Sequence, residues 1–467
     1  MQAFQKINNI VGWAIFAIAT LVYVLTVERT ASFWDCGEFI ACSYLLQVPH
    51  PPGAPFFLLV NRMFSFLAMG DVTQVAYWIN ISSALCSSFT ILFLFWSIVM
   101  LGLKMYPKDA PIDAHKTWTL MASAAIGSLA YTFSDSFWFS AVEAEVYAMS
   151  SFFTAFVIWA ALKWDRIEDA RRENQWLILI AYTTGLSIGV HLLNLVTLPA
   201  LALIYYYKKY PKPNIWGTFV SLLIGLFIVV LVMYGVIPGL PTLAGHFEIF
   251  FVNSLGLGFG SGVVFFLVLF LGALSAATYY SVLKQKELLN TALLSFIFIL
   301  IGYTSYAIVL VRSQYNTPIN ENDPSDLIRF VSYLKREQYG DRPLLYGPIY
   351  TSEPTEMVQG APIYRMVKEK GKYEIYSYKT SYKYDKNILL PRIYSDEHKA
   401  LYEEMLNLRE GQSPTMYHNL KFMFSHQLGH MYFRYFLWNF AGRAGDEEGS
   451  GWLAPWEAKK GKDVPED

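Results

Sequence analysis

Two acids, a histidine and a Pro-Pro-Gly turn lie close together near the N-terminus, directly after a long apolar run. They are Asp35, Glu38 and His50 in the stretch SFWDCGEFIACSYLLQVPHPPGAPFF, residues 32–57. Carboxylates beside a membrane are costly unless they line a polar cavity, so their position indicates a site. The prolines after His50 stiffen a turn, and Gly53 is expected to open a helix whose free N–H groups could receive a phosphate.

The same residues also have a purely structural interpretation. Asp35 and Glu38 have the spacing of a capping box, and Trp34 with Phe39 would supply its hydrophobic staple. A capping box does not require an acid at both ends next to a membrane, so we favour a functional role. The two prolines by themselves fit a plain interfacial turn equally well.

Further polar residues are expected to lie at the same membrane level as these three. Glu143 and Glu145 start a helix, where acids also simply favour the helix dipole. His191 fits a buried structural histidine as well as a ligand, while Asn194 follows one helical turn later. Arg312 follows the last apolar segment. Polar groups that converge at one depth predict a binding or catalytic site there.

The composition identifies a polytopic membrane protein. The chain has 467 residues, of which 54% are hydrophobic and only 16% are charged, which fits a soluble enzyme poorly. A net charge of −1 with dispersed basic residues excludes a nucleic-acid-binding stripe. Three cysteines in apolar surroundings predict neither a disulfide framework nor a metal site.

Apolar segments of bilayer length predict a helical membrane domain. The first segment runs straight into charged residues without a small-residue cleavage site, so we interpret it as a retained span rather than a signal peptide. Single spans are expected at residues 10–27, 79–103, 117–133, 141–162, 215–237, 260–283 and 291–311.

Residues 176–207 are too long for one span, because 32 residues of helix would measure about 48 Å against roughly 30 Å of hydrocarbon. Gly185 and Gly189 precede His191 near the middle, which predicts two short helices that meet at a polar hinge and a total of nine membrane helices. With the N-terminus in the cytoplasm, this reading places thirteen of the fifteen lysines and arginines before residue 312 inside. Only Arg29 and Arg62 remain outside.

This orientation places the candidate site and the C-terminal part outside the cytoplasm. We divide the chain into a transmembrane catalytic domain, residues 1–311 with a first outer loop at 28–78, and a mixed α/β domain, residues 312–467. Residues 325–338 and 397–408 are expected to be helical, and residues 367–384 to form strands around a Gly-Lys turn. The polar end of the chain, from residue 442, is typical of a flexible tail or of a chain that continues further.

Two other patterns are given less weight. HQLGH at residues 426–430 has the i,i+4 histidine spacing of zinc proteases, but Gln427 stands where the catalytic glutamate belongs. The aromatic stretch at residues 431–443 contains interspersed arginine and is typical of an amphipathic helix at the membrane surface.

Several stretches resemble a bacterial group of uncharacterised multi-spanning proteins related to an animal endoplasmic-reticulum protein O-mannosyltransferase, within the GT-C glycosyltransferases. The resemblance rests on FWDCGEFIACSYLLQVPHPPGAPFF, WFSAVEAEVYAMS, GLSIGVHLLNL and the long stretch that begins RSQYNTPINENDPSDLIRF. It covers nearly the whole chain. In such enzymes an acidic motif in the first outer loop and two juxtamembrane helices form the catalytic centre, a pattern that Asp35, Glu38 and the helices flanking HPPG match.

The resemblance implies transfer of a sugar, expected to be mannose, from a polyprenyl-phosphate donor to Ser or Thr of extracytoplasmic proteins. Such a transfer needs one base, because the phosphate leaves without being protonated. Asp35 is the expected base, and Glu38 orients it or binds the sugar. His50, His191 and Arg312 are candidates for the phosphate, and Arg312 is favoured for its bidentate fork. Glu145 and Asn194 are candidates for sugar hydroxyls, and Glu143 lies beside them.

Cofactors, partners and rival functions stay open at this stage. A divalent cation could join Asp35 and Glu38, although nothing in the spacing demands one. The expected partners are the lipid-linked sugar, an acceptor polypeptide or glycan and membrane lipid, at a bacterial inner membrane with the site facing the periplasm. The alternatives are a GT-C enzyme that glycosylates a lipid or cell-envelope glycan, and a non-enzymatic transporter or membrane-complex subunit.

Overall fold

The computed structural model describes residues 2–107, 111–340, 342–409, 412–445 and 449–453. The chain forms two compact units, one of residues 1–133 with 137–336 and the other of residues 134–136 with 337–467. The first unit is helical and carries every site residue predicted from the sequence. The second unit mixes helices and strands.

The first unit begins with a long helix, two short helices and a second long helix. They are α1 (Gln2–Thr26), α2 (Cys36–Leu45), α3 (Pro55–Ser65) and α4 (Val75–Leu103). The helices that follow are α5 (Ala114–Thr132), α6 (Asp135–Ala141), α7 (Val146–Asp165), α8 (Ala170–Ile188) and α9 (Thr197–Lys209). The remaining helices to residue 336 are α10 (Ile215–Val230), α11 (Gly239–Asn253), α12 (Ser261–Leu283), α13 (Glu287–Tyr303), α14 (Ala307–Gln314) and α15 (Leu327–Leu334).

Within the described residues, six helical segments are long and apolar enough to cross a membrane. They are Gln2–Thr26, Val72–Leu103, Val146–Asp165, Ile215–Asn253, Ser261–Leu283 and Glu287–Gln314. The predicted spans at 117–133 and 176–207 are also helical, as α5, α8 and α9, but they fall short of this criterion. A polytopic helical protein is thus confirmed, and the count of nine stays a prediction.

Polar side chains set the start of several of these helices. Asp113, Asp169 and Asn214 each accept a hydrogen bond from a backbone N–H in the first turn of α5, α8 and α10. An N-cap of this kind satisfies one of the free donors at a helix start. These caps lie in the connections that carry most of the charge between apolar segments.

The predicted break between α8 and α9 is present, but its two glycines have different roles. Gly189 follows the last residue of α8, and a short 3-10 turn (Leu192–Val196) leads into α9. Gly185 lies inside α8, where an added Cβ would meet the backbone of Ile299 on α13. Gly302 faces Gly185 in the same way, so this pair allows two helices to approach closely rather than to bend.

The segment between α1 and α4 is held against the bundle by an apolar core. Phe39 and Cys42 of α2, Phe57 and Leu58 of α3, and Phe153 of α7 are all buried in one cluster. The two short helices that flank HPPG, predicted from the sequence, are therefore confirmed as packed elements. Their packing fixes the side chains between them.

Among its described residues, the second unit contains two antiparallel strand pairs, three α-helices, one π-helix and three short 3-10 turns. Strand β1 (Tyr346–Gly347) pairs with β4 (Ile388–Leu389), and β2 (Pro354–Val367) pairs with β3 (Lys372–Tyr384). Helices α16 (Lys399–Leu406), α17 (Met416–Phe422), a π-helix (Met423–Tyr432) and α18 (Phe433–Ala441) follow. A mixed α/β character is confirmed, as is the Gly-Lys turn, where Gly371 has a φ of +60°.

Predictions for the end of the chain have mixed outcomes. His426 and His430 lie in the π-helix rather than on a regular α-helix, with their rings stacked at 5.6 Å. Helix α18 occupies the aromatic stretch, and its contact with a membrane stays a prediction. The predicted tail falls largely outside the described residues.

Candidate functional site

Helix α2 begins at the first predicted acid, but the capping box does not form. Asp35 occupies the N-cap position of α2 and its side chain makes no capping hydrogen bond. The side chain is 57% exposed. The Glu38 carboxylate is instead bonded to His50. The capping-box interpretation is therefore wrong, and Asp35 is left accessible.

Glu38 and His50 form a tightly bonded pair between α2 and α3. The Glu38 carboxylate accepts the His50 backbone N–H at 2.8 Å and lies 2.6 Å from the ring nitrogen Nδ1. Burial opposes ionisation of Glu38, but the bonds from His50 outweigh it and lower the pKa of Glu38. The same bond raises the pKa of His50 against the effect of burial. The pair therefore favours a carboxylate and an imidazolium.

The other ring nitrogen of His50 faces Asp35. Its Nε2 lies 3.9 Å from an Asp35 carboxylate oxygen. The ring of Phe39 packs against the imidazole at a centroid distance of 5.5 Å. His50 is thus fixed on one side by Glu38 and presented on the other toward the accessible acid.

The Pro-Pro-Gly turn after His50 is held by a tyrosine of α15. The Gly53 N–H donates to the His50 carbonyl at 2.9 Å, and the Tyr333 hydroxyl donates to the Pro49 carbonyl at 2.6 Å. Gly53 has a φ of +71°, and a Cβ there would lie 2.6 Å from the Tyr333 hydroxyl. Both the backbone conformation and the close packing therefore require glycine at this position.

The predicted phosphate site at the start of the next helix is not free. Helix α3 begins at Pro55, and the N–H groups of Phe56 and Phe57 donate to the Gly189 carbonyl at 2.8 and 3.3 Å. Proline supplies no N–H of its own. The prediction of free N–H groups is wrong here, because the break after α8 already uses them.

Two buried glutamates complete the acidic side of the site. Glu143 is 3% exposed and accepts a hydrogen bond from the Ser32 hydroxyl; burial raises its pKa. Glu145 is 7% exposed at the N-cap of α7. Burial, together with the charges of Glu143 and Asp35, raises the pKa of Glu145 to about 7. Its carboxyl group is therefore close to half-protonated at neutral pH.

The loop before Asp35 is tied to the bundle through its backbone. The Glu28 N–H donates to the Val142 carbonyl at 3.0 Å. The Asn80 side chain on α4 donates to the carbonyls of Glu28 and Thr30 at 2.8 and 3.0 Å. These bonds bring the first loop to the segment that carries Glu143 and Glu145.

His191 and Asn194 occupy the break between α8 and α9 in different settings. The His191 ring lies 5.5 Å from the ring of Tyr147, whose hydroxyl is in the field of Glu145 and Asp35. The fully buried Asn194 amide donates to the Ser187 hydroxyl at 2.6 Å and accepts from the Thr154 hydroxyl at 3.1 Å. His191 therefore lies beside the acid cluster, whereas Asn194 supports the break from within.

Arg312 bonds to helix α2. Its Nε and one terminal nitrogen donate to the carbonyls of Leu46 and Leu45 at 2.6 and 3.0 Å. A cation at the last carbonyls of a helix satisfies free acceptors and complements the dipole. Arg312 thus holds the end of the helix that carries Glu38. Its role in phosphate binding stays a prediction.

Arg336 is a residue that the sequence did not single out. Its positive charge acts against the rise in the pKa of His50 that Glu38 and Asp35 cause, so Arg336 belongs to the electrostatic surroundings of this ring. It follows α15, the helix whose Tyr333 anchors the HPPG turn. Neither residue could be found from local spacing, because each reaches the site across almost 300 positions of sequence. The sequence feature that could have indicated Tyr333 and Arg336 is their position in the stretch that begins RSQYN, which carries part of the family resemblance.

The arrangement offers one group of metal ligands within the described residues. Ligand atoms of Asp35, Glu38 and His50 lie within 4.8 Å of one another. The Glu38–His50 hydrogen bond already occupies one atom of each. A protonated Nε2 has no lone pair for a metal ion, so a cation would bind Asp35 and the outer ring nitrogen of His50 only after the imidazolium had lost its proton.

The geometry defines a membrane protein with three distinct groups at one end of its helices. Asp35 is an accessible carboxylate, His50 is an oriented imidazolium, and Glu145 is a buried acid with a pKa of about 7. Comparison with known proteins agrees with this picture. Residues 35–214 match the family described as the protein O-mannosyl-transferase TMEM260 N-terminal domain. The match begins at Asp35 and includes every predicted site residue except Arg312.

Two curated relatives are similar over the same part of the chain. A protein O-mannosyl-transferase tmem260 of Dictyostelium discoideum is 25% identical over 189 residues, which cover 39% of this chain and 21% of the relative. A protein O-mannosyl-transferase TMEM260 of Mus musculus is 26% identical over 176 residues, covering 38% and 22%. The chain thus spans about a fifth of the length of the curated relatives it matches.

The predicted resemblance to an animal O-mannosyltransferase is therefore confirmed for this segment, and it supports a glycosyltransferase. Residues 340–424, in the second unit, match a family of unknown function (DUF8416). No solved structure matches the chain significantly.

Proposed function

We propose that this chain is a GT-C glycosyltransferase that moves mannose from a polyprenyl-phosphate donor to Ser or Thr hydroxyls of extracytoplasmic proteins. The observation that carries the proposal is the convergence of Asp35, Glu38, His50 and Glu145 within the segment similar to protein O-mannosyl-transferases. A membrane site that combines groups of such different protonation suits acid–base chemistry.

In the proposed reaction Asp35 is the base. The acceptor hydroxyl gives its proton to the Asp35 carboxylate while its oxygen bonds to the anomeric carbon of the sugar. The bond from that carbon to the phosphate oxygen breaks, and the electron pair leaves with polyprenyl phosphate. Asp35 suits this role because its carboxylate is exposed and makes no capping bond.

The cations of the site are assigned to the phosphate. The imidazolium of His50, stabilised by Glu38, stabilises the charge that develops on the leaving oxygen. Arg336 is assigned as a second positive charge, because its field acts on the same ring. Glu38 is thus a positioning residue for His50. Arg312 and His191 remain predicted phosphate ligands, and Arg312 additionally fixes the end of α2.

The buried acids are assigned to the sugar. With a pKa of about 7, Glu145 is protonated often enough at neutral pH to donate a hydrogen bond to a sugar oxygen. Glu143 supports the first loop through Ser32. Asn194 stabilises the break that carries His191. Its predicted hydrogen bond to a sugar hydroxyl rests on the sequence alone. The reaction as written needs no metal ion.

The charge distribution supports the orientation in this proposal. If the chain has nine spans, thirteen basic residues lie in the loops on the side of the N-terminus, which is then the cytoplasmic side. The site and the C-terminal unit would in that case face the periplasm from a bacterial inner membrane. A lipid-linked donor held in the outer leaflet would then reach Asp35 from the membrane. The division into a membrane domain and a C-terminal outer domain follows from the same orientation.

The test is transfer by the purified full chain. Labelled polyprenyl-phosphate mannose is supplied with either a Ser/Thr-containing peptide or a glycolipid, alongside a Glu28→Gln control. This control alters a half-buried acid of the same loop whose carboxylate accepts hydrogen bonds from the neighbouring Thr30. Mannose on the peptide is the expected result. Transfer to the glycolipid alone would favour the alternative acceptor class, and use of a nucleotide sugar in place of the lipid donor would contradict the proposal.

A further inference from the structure

A polar cavity lies at the opposite end of the spans from the acid cluster. It has a volume of about 150 Å³ and is lined by the start of α1 and the ends of α4 and α7. The acid cluster instead follows the end of α1 and precedes the starts of α4 and α7. Helix α1, with 25 residues, separates the two ends by about 37 Å. The cavity is therefore independent of the proposed transfer site.

Two cations at the end of α7 line this cavity without a carboxylate partner: Lys163 in its last turn and Arg166 at its C-cap. Within the described part of the chain, neither Lys163 nor Arg166 has an acid within ion-pair distance. Neighbouring lysines at this end are paired, since Lys104 lies 2.5 Å from Asp165 and Lys208 lies 2.8 Å from Glu173. Unpaired positive charge in a half-buried cavity favours an anion.

The cavity also contains an unpartnered buried amide. Asn8 is 8% exposed and its amide oxygen has no hydrogen-bond partner. An unmet acceptor at this burial costs free energy unless a donor occupies the cavity. The indole N–H of Trp159, which also lines the cavity, is likewise buried and unpartnered, and its ring lies 5.7 Å from the Lys163 ammonium.

These features describe a ligand with an anionic oxygen group, a hydrogen-bond donor and an apolar part. Exposed Gln5 and Asn9 border the cavity beside buried Asn8, so it opens at the surface of the helix bundle. A phosphate fits the two cations, and a volume of about 150 Å³ exceeds the roughly 10–15 Å³ needed by one water. Basic pockets between membrane helices bind phospholipid head groups on the same principle.

We propose that this cavity binds the phosphate of an anionic phospholipid head group, with Lys163 and Arg166 as its cations and Asn8 as the acceptor for a head-group hydroxyl. The bound lipid joins α1, α4 and α7 at the end of the bundle away from the acids. This site does not depend on the sugar-transfer proposal, because none of its residues belongs to the acid cluster.

The test is retention of defined lipid by the detergent-purified full chain, measured by native mass spectrometry during titration with phosphatidylglycerol. The variant Lys163→Gln/Arg166→Gln removes both cations. The matched control is Lys284→Gln/Lys286→Gln, which removes two basic residues that do not line the cavity. The double variant is expected to bind phosphatidylglycerol about 25-fold more weakly, since each cation near a membrane contributes roughly a fivefold factor.

Melting temperatures and two competing ligands make the result decisive. Equal melting temperatures without lipid for all three proteins would show that the variants are folded. Equal retention of phosphatidylglycerol by the double variant and the parent would overturn the proposal, as would equal retention of phosphatidylcholine by the parent. Displacement of the bound lipid by inorganic phosphate would assign the cavity to a soluble anion and overturn its assignment to lipid.

Discussion

Four carboxylates in one site differ mainly in what surrounds them. Asp35 is exposed, Glu38 is bonded to His50, and Glu143 accepts from Ser32. Glu145 is buried and its carboxyl oxygens are close to other negative charges, so its pKa rises to about 7. Groups of one chemical type thereby acquire different protonation states, which is what acid–base chemistry requires.

Burial of Glu145 gives a stability prediction with a definite sign. Between about pH 4.5 and 7 the folded state keeps a proton that the unfolded state has lost, so stability falls as the pH rises through this window and levels off above it. Glu145→Gln removes this penalty. The variant should melt at a higher temperature than the parent at pH 8, by the equivalent of roughly 1–3 kcal/mol, and at nearly the same temperature at pH 4.5.

Thermal unfolding in detergent at both pH values measures this difference. The control is Glu168→Gln, which alters an exposed acid and should leave the two curves parallel. A Glu145→Gln protein that shows no greater advantage at pH 8 than at pH 4.5 would mean that the buried carboxyl is not destabilised.

The Glu38–His50 pair predicts a shift in the pH dependence of transfer. The raised pKa of His50 keeps the imidazolium present to a higher pH, and the rate should fall as the pH rises through that pKa. Glu38→Gln removes the carboxylate that causes this rise. We expect the alkaline limb of the kcat/KM profile to move to lower pH, while the limb of Glu28→Gln stays in place.

An unmoved limb in the Glu38→Gln profile would contradict the role of His50 as a cation in the reaction. A uniform loss of rate at every pH would have the same meaning, because Glu38 would then act without His50. The experiment therefore separates orientation of the imidazolium from a general structural effect of Glu38.

Only part of the site could be predicted from the sequence at this scale. The proximity of Asp35, Glu38 and His50 follows from their spacing, since His50 is fifteen positions after Asp35 and only the short helix α2 lies between them. The bond between Glu38 and His50 depends on how those helices pack, which spacing alone does not specify. Tyr333 and Arg336 come from a distant segment, so no local pattern could indicate them.

At the scale of elements, the HPPG turn is the part that sets His50 in place. Gly53→Ala introduces a Cβ at positive φ, which costs about 1–2 kcal/mol, and also collides with the Tyr333 hydroxyl. We expect a lower melting temperature and a lower transfer rate, because the turn carries the Glu38-bonded histidine. Tyr333→Phe removes the atom in closest contact and also its hydrogen bond to the Pro49 carbonyl, so Tyr333→Phe alone is the reference. Gly53→Ala should cost less in the Tyr333→Phe background than in the parent.

The matched control for this substitution is Gly256→Ala. Gly256 has a φ of +67°, but an added Cβ there would meet nothing within 4 Å. It should therefore show the backbone cost without the collision, and no rescue by Tyr333→Phe. Equal losses from the two alanine variants would mean that the packing of Tyr333 on the turn is unimportant.

Most elements of the membrane unit were predictable because their apolar periodicity and length are strong local signals. The break near His191 was predicted from length and is present, although Gly185 serves helix packing instead. The start of α3 was predicted incorrectly, because the Gly189 carbonyl that accepts its N–H groups belongs to a helix end more than a hundred residues away. Tertiary contacts of this kind are invisible in a local pattern.

For the whole molecule, the charge distribution predicts the arrangement across the membrane. Arg171 should face the cytoplasm and Lys335 the periplasm, since the inner loops hold nearly all basic residues of the first 311 positions. Single cysteines at each position can be labelled from one side with a membrane-impermeant maleimide. Of the three native cysteines, Cys36 and Cys42 are buried and Cys86 is half-buried, so labelling of the parent chain serves as the background.

We expect Lys335→Cys to be labelled in cells whose inner membrane is intact but can be reached by the reagent. Arg171→Cys should be labelled only after the inner membrane is disrupted. Labelling of both from the same side would contradict the nine-span arrangement and the outward orientation of the site. The exposed positions of both residues make a negative result informative.

The central claim, that Asp35 is the base of a glycosyl transfer, is tested most directly by Asp35→Asn. Asparagine is as good an N-cap as aspartate, and the Asp35 side chain makes no capping bond in any case, so stability should be unchanged. Loss of a general base typically lowers the rate by about 10²- to 10⁴-fold.

The measurement is the rate of mannose transfer to peptide together with the melting temperature in detergent, for the parent, Asp35→Asn and Glu28→Gln. The account predicts three proteins of equal stability, of which Asp35→Asn alone has lost transfer by a factor in this range. An equally stable Asp35→Asn protein that transfers at the parent rate would contradict it, and the base would then have to be sought at Glu38, Glu143 or Glu145.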